Sequence, residues 1–246
     1  MWKNVMNKKT SKKDGGKKTI FQSIVSFVTE WVSVIGIALA VALFINNVII
    51  TNSFIPTPSM ESNLPVGSRL FGYRLNYLFS KPQRGDVVIF DYGYQCNKCG
   101  KIYQKNDEAK CYYCGEVDKK NKKAHFIKRV IGLPGEHIEI KADYTAEQAL
   151  FRELKFQDPS VNATCGHVYI NGERFKEDYL NEPMVVNNFY RAIDVTIPED
   201  CYLLLGDNRN NSEDARFWPN KFINIKDIEA KAYVIYWPLN RIGIIK

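Results

Sequence analysis

Apolar positions along the chain follow two patterns. From Trp31 to Ile50 (WVSVIGIALAVALFINNVII) they form one charge-free run, broken only by Ser33, Gly36 and the pair Asn46 and Asn47. At 1.5 Å per residue these 20 positions reach about 30 Å, the thickness of a bilayer hydrocarbon core. A buried core helix would keep a polar stripe, so the run predicts one transmembrane helix. No A-x-A-like cleavage site closes it. It leads into Thr51-Asn52-Ser53 and a proline-rich turn, and the segment is therefore expected to remain as an anchor rather than leave as a signal peptide.

Past residue 51 the pattern shortens to alternating stretches that predict strands: Asp86 to Phe90, Phe126 to Ile131, His137 to Ile140, His167 to Ile170, Cys201 to Leu205 and Ala232 to Trp237. Turn signals separate them at Arg84-Gly85-Asp86, Leu133-Pro134-Gly135 and Asn171-Gly172. The last is a hairpin signal between Val168-Tyr169-Ile170 and Glu173-Arg174-Phe175. Helical periodicity is convincing only over Thr145 to Phe156, where Ala149, Leu150, Leu154 and Phe156 can share a face. The fold class expected is mainly β, one N-terminal transmembrane helix followed by an all-β ectodomain. Phe71, Tyr73, Tyr77 and Phe79 suit either the membrane interface or the core.

Composition changes this picture little: 45% hydrophobic and 25% charged residues are globular proportions. Charge changes it more. Of the net +7, residues 1–30 supply +5, from Lys3, Lys8, Lys9, Lys12, Lys13, Lys17 and Lys18 against Asp14 and Glu30. The rest of the chain is close to neutral, so no nucleic-acid surface is implied. Lysines packed ahead of the apolar run obey the positive-inside rule and put the N-terminus in the cytoplasm. The organisation expected is a basic cytoplasmic segment at 1–30, an anchor at 31–50 and an extracytoplasmic domain at 51–246.

Cys96-x2-Cys99 and Cys111-x2-Cys114 stand 11 residues apart, each pair followed by a glycine, Gly100 or Gly115. Two such knuckles can place four thiolates around one tetrahedral Zn²⁺, with no open position for water and hence a structural role. Oxidising surroundings outside the cell favour two disulfides instead; the spacing favours a zinc ribbon, with disulfides or free thiols as the alternatives. Cys165 and Cys201 stand apart, able to pair or to pack as small hydrophobes. The lysines flanking the knuckles read as a solvated surface.

Candidate chemistry is not histidine chemistry. Only His125, His137 and His167 exist, and no G-x-S-x-G elbow accompanies them. Immediately past the apolar run, Pro56 and Pro58 stiffen the backbone around Thr57 and Ser59. A second segment, Phe126 to Glu136, sets Lys128 inside an apolar strand. If Ile127 is buried on one face and Val130 with Lys128 on the other, desolvation lowers the lysine pKa and a neutral amine can act as a general base. A third, Gly206 to Trp218, is a dense polar loop after the buried strand Tyr202 to Leu205.

Together these segments resemble the bacterial type I signal peptidases, membrane-anchored serine proteases with a Ser-Lys dyad. The P-x-x-S-M box at 56–60, R-G-D-V-V-I-F at 84–90, K-R-V-I-G-L-P-G at 128–135 and G-D-N-R-x-N-S-x-D-x-R-x-W at 206–218 occur in the family's order behind the anchor. The resemblance covers residues 31–91, 124–140 and 166–237. It implies Ser59 as nucleophile, Lys128 as general base, Ser212 as the residue orienting the lysine amine, and the Thr57 hydroxyl with the Ser59 amide as oxyanion hole. It implies Arg129 with Asp207, and Asp214 with Arg216, as bracing ion pairs, and Ile55, Leu64 and Ile127 as lining of shallow apolar pockets for an Ala-x-Ala site.

Also implied are endoproteolysis of secreted preproteins, no catalytic cofactor, secretory preproteins and the lipid bilayer as partners, and a monomeric chain. Asn210, Ala215 and Pro219 depart from the family pattern without removing a required group. The four-cysteine segment at about 93–120 and the helical segment at about 143–165 read as insertions. Two competing readings are a membrane-anchored zinc-ribbon binding module with degenerate protease boxes and a specialised Ser-Lys peptidase for pilin-like, spore-coat or conjugation substrates. Intact Ser59, Lys128 and Ser212 speak against the first.

Overall fold

The computed structural model describes residues 20–61, 63–106, 108–117, 120–142, 164–186 and 193–245. The lysine block at 3–18 and the helix expected over Thr145 to Phe156 lie outside them. The chain divides into two units, residues 1–45 and 46–246.

In the first unit one helix, α1 (Ile20–Phe44), carries the apolar run. A single π turn, Ile45–Ile49, continues it through the two asparagines. The helix thus starts earlier than the charge-free run predicts, because Phe21, Ile24, Val25, Phe27 and Val28 extend the apolar character toward the N-terminus and the helix tolerates Glu30 between them and the run. It also stops short of Ile50, which opens a strand. The stretch Ile24–Ile49 is long and apolar enough to cross a membrane, and none of its described side chains is buried. Its hydroxyls are satisfied within the helix: Thr29 Oγ1 donates to Val25 O and Ser33 Oγ to Thr29 O at 2.8 Å. A helix surrounded by hydrocarbon needs that internal pairing.

The second unit is mainly β. In chain order its elements are β1 (Ile50–Phe54), β2 (Arg69–Tyr73), the short α2 (Asn76–Phe79), β3 (Val87–Gln95), β4 (Ile102–Gln104), β5 (Lys122–Gly132), β6 (His137–Ala142), β7 (Thr164–Ile170), β8 (Glu173–Arg174), β9 (Met184–Val186), β10 (Ile193–Thr196), β11 (Cys201–Leu205), β12 (Phe222–Asn224), β13 (Ile228–Trp237) and β14 (Gly243–Ile244). A large antiparallel sheet runs β1-β2-β13-β3-β5-β11-β12, with β4 added to β3 and β14 to β13. A smaller one runs β10-β6-β7-β8, with β9 on β7.

The core explains why β3 opens on the continuous apolar run Val87 to Phe90 and β5 ends its charged stretch on Val130 and Ile131. Both lie inside the large sheet and bury both faces. Val88, Phe90 and Val130 enter one apolar cluster with Leu203, Leu204, Leu205, Ile138 and Ile140. Val87 and Ile89 enter another with Leu70, Ala230, Ala232, Ile55, Met60 and Leu64, and Ile127 packs against it. Each strand's two-residue period therefore feeds two cores. The aromatic residues near α2 split: Phe71 stacks on Tyr236 at 4.3 Å, and Tyr77 donates to Asp86 Oδ2 at 3.0 Å. Tyr73 and Phe79 are exposed, Phe79 by 88%.

Candidate active site

Three pieces of chain meet at the site. The first leaves β1 at Phe54. Ile55 N donates to Ser68 O and Gly67 N to Ile55 O, at 3.0 and 2.8 Å, so the segment stays extended until Thr57. Gly67 has a φ of +84°, a left-handed turn that glycine takes without strain. Pro58 then opens a single 3-10 turn, Pro58–Met60, where its fixed φ suits the first position and its missing N–H costs nothing. Ser59 and Met60 are both buried in this turn.

The second piece is β5. Lys128 pairs with Val88 of β3 and is 4% exposed. Its Nζ lies 2.9 Å from Ser59 Oγ and donates to Ile127 O at 3.2 Å. The Thr57 hydroxyl sits 3.4 Å from the same Ser59 Oγ. Phe126, whose ring centre is 5.4 Å from the amine, belongs to an aromatic stack with Tyr92, Phe90 and Trp218. Burial among these groups drives the amine's pKa down from 10.5 to about 8, against the pull of Asp214, Glu213 and Asp207. That pull is limited because the two aspartates are already taken. Arg129 donates from Nε and Nη2 to Asp207 at 2.7 and 2.6 Å, and Arg216 donates from Nε and Nη2 to Asp214, both at 2.8 Å. Arg216 holds the Asp214 carboxyl below the usual range even though burial works the other way.

The third piece is the loop after β11, which straps the serine turn down. Asn208 donates from its amide to Ser59 O at 3.0 Å and from Nδ2 to Pro58 O at 3.1 Å. Gly206 donates to Asp214 Oδ2 at 3.0 Å. Ser212 Oγ is buried and has no hydrogen-bond partner, so no bond joins it to Lys128. Ile55 and Leu64 form a buried apolar floor under the serine turn, with Ile127 half-buried beside it.

Several residues that sequence reasoning passed over build this site. Gly206 is one: a Cβ there would meet Ser212 Oγ at 2.1 Å and the Ser59 carbonyl oxygen at 2.5 Å. The second contact is with backbone and cannot be relieved by a rotamer change. Gly206→Ala is therefore expected to displace the Ser59 turn and cut kcat by about 100-fold, an ångström-scale misplacement of a reacting group. Unchanged steady-state kinetics in a folded variant would reject this. Arg209, fully buried, donates to Glu177 Oε2 at 2.7 Å and to Gly206 O at 3.0 Å. Tyr179 lies over the Arg129 guanidinium at 4.4 Å, and Asn63 Nδ2 donates to Asp207 Oδ2 at 2.7 Å. Only Gly206 and Arg209, both in the box at 206–218, carry any local signal, and the sequence alone gives neither a role.

The four knuckle cysteines form a separate cluster, with all four Sγ atoms within 4.8 Å of one another and of a kind that could hold a metal ion. Cys165 and Cys201 do not pair with each other and form no disulfide: Cys165 Sγ lies 3.7 Å from His167 Nε2, and Cys201 Sγ lies 3.9 Å from Asn224 Nδ2.

Comparison with known proteins points in one direction. The family described as "Signal peptidase, peptidase S26" matches residues 28–237. The signal peptidase I of Leptolyngbya laminosa is 31% identical over 214 residues, which span 87% of this chain and 82% of that protein. A probable signal peptidase I of Synechocystis sp. is 28% identical over 246 residues, 100% of this chain and 86% of that one. A crystal structure of a signal peptidase I from Enterococcus faecalis is 25% identical, with a TM-score of 0.34, covering 62% of this chain and 97% of that chain.

Proposed function

The chain belongs to the signal peptidase S26 family, and from that premise we propose how it removes signal peptides: Ser59 attacks the scissile carbonyl and neutral Lys128 takes the serine proton. The observation carrying this is the 2.9 Å approach of Lys128 Nζ to Ser59 Oγ, both side chains buried, with the Phe126 ring centre 5.4 Å from the amine. The uncharged amine accepts the Ser59 O–H, the hydroxyl oxygen adds to the carbonyl, and the Thr57 hydroxyl with the Ser59 amide binds the resulting oxyanion. The ammonium then gives its proton to the leaving amine. Water, deprotonated by the same lysine, hydrolyses the acyl-enzyme. Ser212, with a buried hydroxyl able to accept, takes up the amine as it becomes an ammonium with three donors to satisfy. No cofactor enters these steps. The four-cysteine cluster is a structural centre outside the chemistry.

Arg129 with Asp207 and Asp214 with Arg216 brace the loop and keep carboxylate charge from stabilising the ammonium. The apolar floor of Ile55, Leu64 and Ile127 admits small side chains, which fits cleavage after Ala-x-Ala. The lysine-rich segment at 1–30 stays cytoplasmic, the anchor spans, and the domain at 51–246 works outside, on secretory preproteins at the bilayer surface. Ser59 lies only about nine residues past the anchor, so enzyme and cleavage site emerge at the same surface and tethering raises their effective concentration.

Two measurements test the reading. The detergent-solubilised chain should cut a preprotein after the last alanine of an Ala-x-Ala site, and Ser59→Ala should not. Cutting by the alanine variant would reject the dyad. For the second, with Lys128 titrating near 8, kcat/KM for the free enzyme should rise about tenfold per pH unit from 6 to 7.5 and level off by about 9. A profile flat across that range would contradict the neutral-amine base.

A further inference from the structure

The excursion between β3 and β5 contains one local structure made twice. In the first knuckle Gly100 N donates to Cys96 O at 2.8 Å and Cys96 N to Lys101 O at 2.9 Å. In the second, Gly115 N donates to Cys111 O at 2.9 Å and Cys111 N to Glu116 O at 2.8 Å. Gly100 and Gly115 share a φ of +73°, the left-handed conformation that folds each turn back on its first cysteine. The knuckles face each other. Cys96 Sγ and Cys114 Sγ lie 3.6 Å apart, as do Cys99 Sγ and Cys111 Sγ.

That spacing bears on the choice between the zinc ribbon that the sequence favours and its alternatives. Bonded sulfurs sit about 2.05 Å apart. Sulfurs held about 2.3 Å from one ion at tetrahedral angles lie about 3.8 Å apart, close to the 3.6 Å of these two pairs, and all four Sγ atoms fall within 4.8 Å of one another. The cage is also built from below. Tyr103 OH donates to Ala109 O at 3.0 Å and accepts from Asn121 Nδ2 at 2.9 Å, while Asn121 Oδ1 accepts from Asn97 N at 3.0 Å. A buried Asn–Tyr pair thus ties the first knuckle to the start of β5. Cys96 and Cys111 are buried and Cys99 and Cys114 exposed, so an ion here is half enclosed with an entry path from solvent.

We propose that Cys96, Cys99, Cys111 and Cys114 bind one structural Zn²⁺ in a closed tetrahedral site that pins the tip of the β3–β5 ladder. Four thiolates and one Zn²⁺ leave a net charge of −2, and Lys101 and Lys110 on the knuckles offset it, while Lys98 is paired with Glu116 Oε2 at 2.9 Å. That gives the lysine-rich flanks a physical reason. All four ligands are protein sulfur, so the ion has no position for water or substrate and stands apart from the cleavage chemistry. Each metal-bound thiolate must lose its proton and no electrons move, so the site forms without an oxidant.

The test uses the full chain in detergent, purified under reducing conditions, incubated with zinc chloride and desalted. Plasma mass spectrometry should find about one zinc per chain in the parent and in a Cys165→Ser/Cys201→Ser control, and less than about a tenth of that in Cys99→Ser/Cys114→Ser. The last two side chains are exposed, so their replacement leaves the core intact, which near-ultraviolet circular dichroism verifies. Adding a chelator to the parent should make trypsin cut first among Lys98, Lys101, Lys110 and Lys122. Any of three results overturns the proposal: a parent holding no zinc with its four sulfurs recovered as disulfides, equal zinc in the Cys99/Cys114 variant, or iron in place of zinc. Metal content is read without any cleavage assay, so its outcome is independent of the peptidase mechanism.

Discussion

Replacing Lys128 with methionine is expected to lower peptide-bond cleavage by about 10⁴-fold or more while making the protein more resistant to heat, since it removes the base of an interdependent pair. Methionine keeps the length and fills the slot beside Phe126 and Val88, so packing is preserved. The stability gain follows from the amine's lowered pKa. Above the unfolded value of 10.5 the lysine is neutral in both states and costs nothing for its charge. Between 10.5 and about 8 the unfolded chain binds the proton and the folded chain does not, so stability falls as pH falls. Below about 8 the full cost of burying the ammonium is present, about 3 kcal/mol. Lys128→Met should therefore raise Tm at pH 7 by about 6–10 °C, with the gain shrinking toward pH 10. Thermal melts at the two pH values check this. Ser59→Ala should match the activity loss without the pH-dependent gain. A methionine variant that melts below the parent at pH 7 would mean that the amine is held as a well-paired ammonium.

Asp214→Ala is expected to be the most destabilising single change at the site. The carboxylate is fully buried and accepts from Gly206 N, Arg216 N and two guanidinium nitrogens of Arg216. Removing it strands the buried Arg216 without its counter-charge, which costs about 3–5 kcal/mol. Tm should drop by about 10 °C, and cleavage should fall with it because the Gly206 loop holds the Ser59 carbonyl through Asn208. Asp214→Ala/Arg216→Met, which takes away both charges, should recover part of the loss. If the double variant is no better than the single one, the stranded cation is not the cause. The Asp214 carboxyl titrates below the usual range, so its stabilisation is complete above about 4 and lost only as pH falls through its depressed value. Asp214 therefore contributes nothing to a change in cleavage between pH 6 and 9, where Lys128 titrates.

Features set by neighbours in sequence were legible in the chain itself. The apolar helix is one, since length and absence of charge need no partner to be read. The strands β3, β5, β6, β7, β11 and β13 carry their own alternation and turn residues. The cysteine knuckles are complete within four residues each, and their glycines mark the turns. The proposed Ser59–Lys128 pair was reachable only because four boxes resemble a known family: Lys128 by itself reads as an exposed strand lysine.

What only the tertiary structure decided lies across the sheets. β1 (ITNSF) and β2 (RLFGY) mix polar and apolar residues and become strands because they pair with each other and β2 pairs with β13. Glu177, Tyr179 and Asn63 have no local signature, and each matters through a group that reaches it from a distant part of the chain. The case for a metal over disulfides likewise rests on distances between two knuckles. The sequence by itself determined where the chain is apolar, charged or turned, because those properties are local sums over adjacent residues. Whether an amine 69 residues from a serine meets its hydroxyl, and at what pKa, depends on desolvation and Coulomb fields that exist only once β3, β5 and the Gly206 loop have packed together.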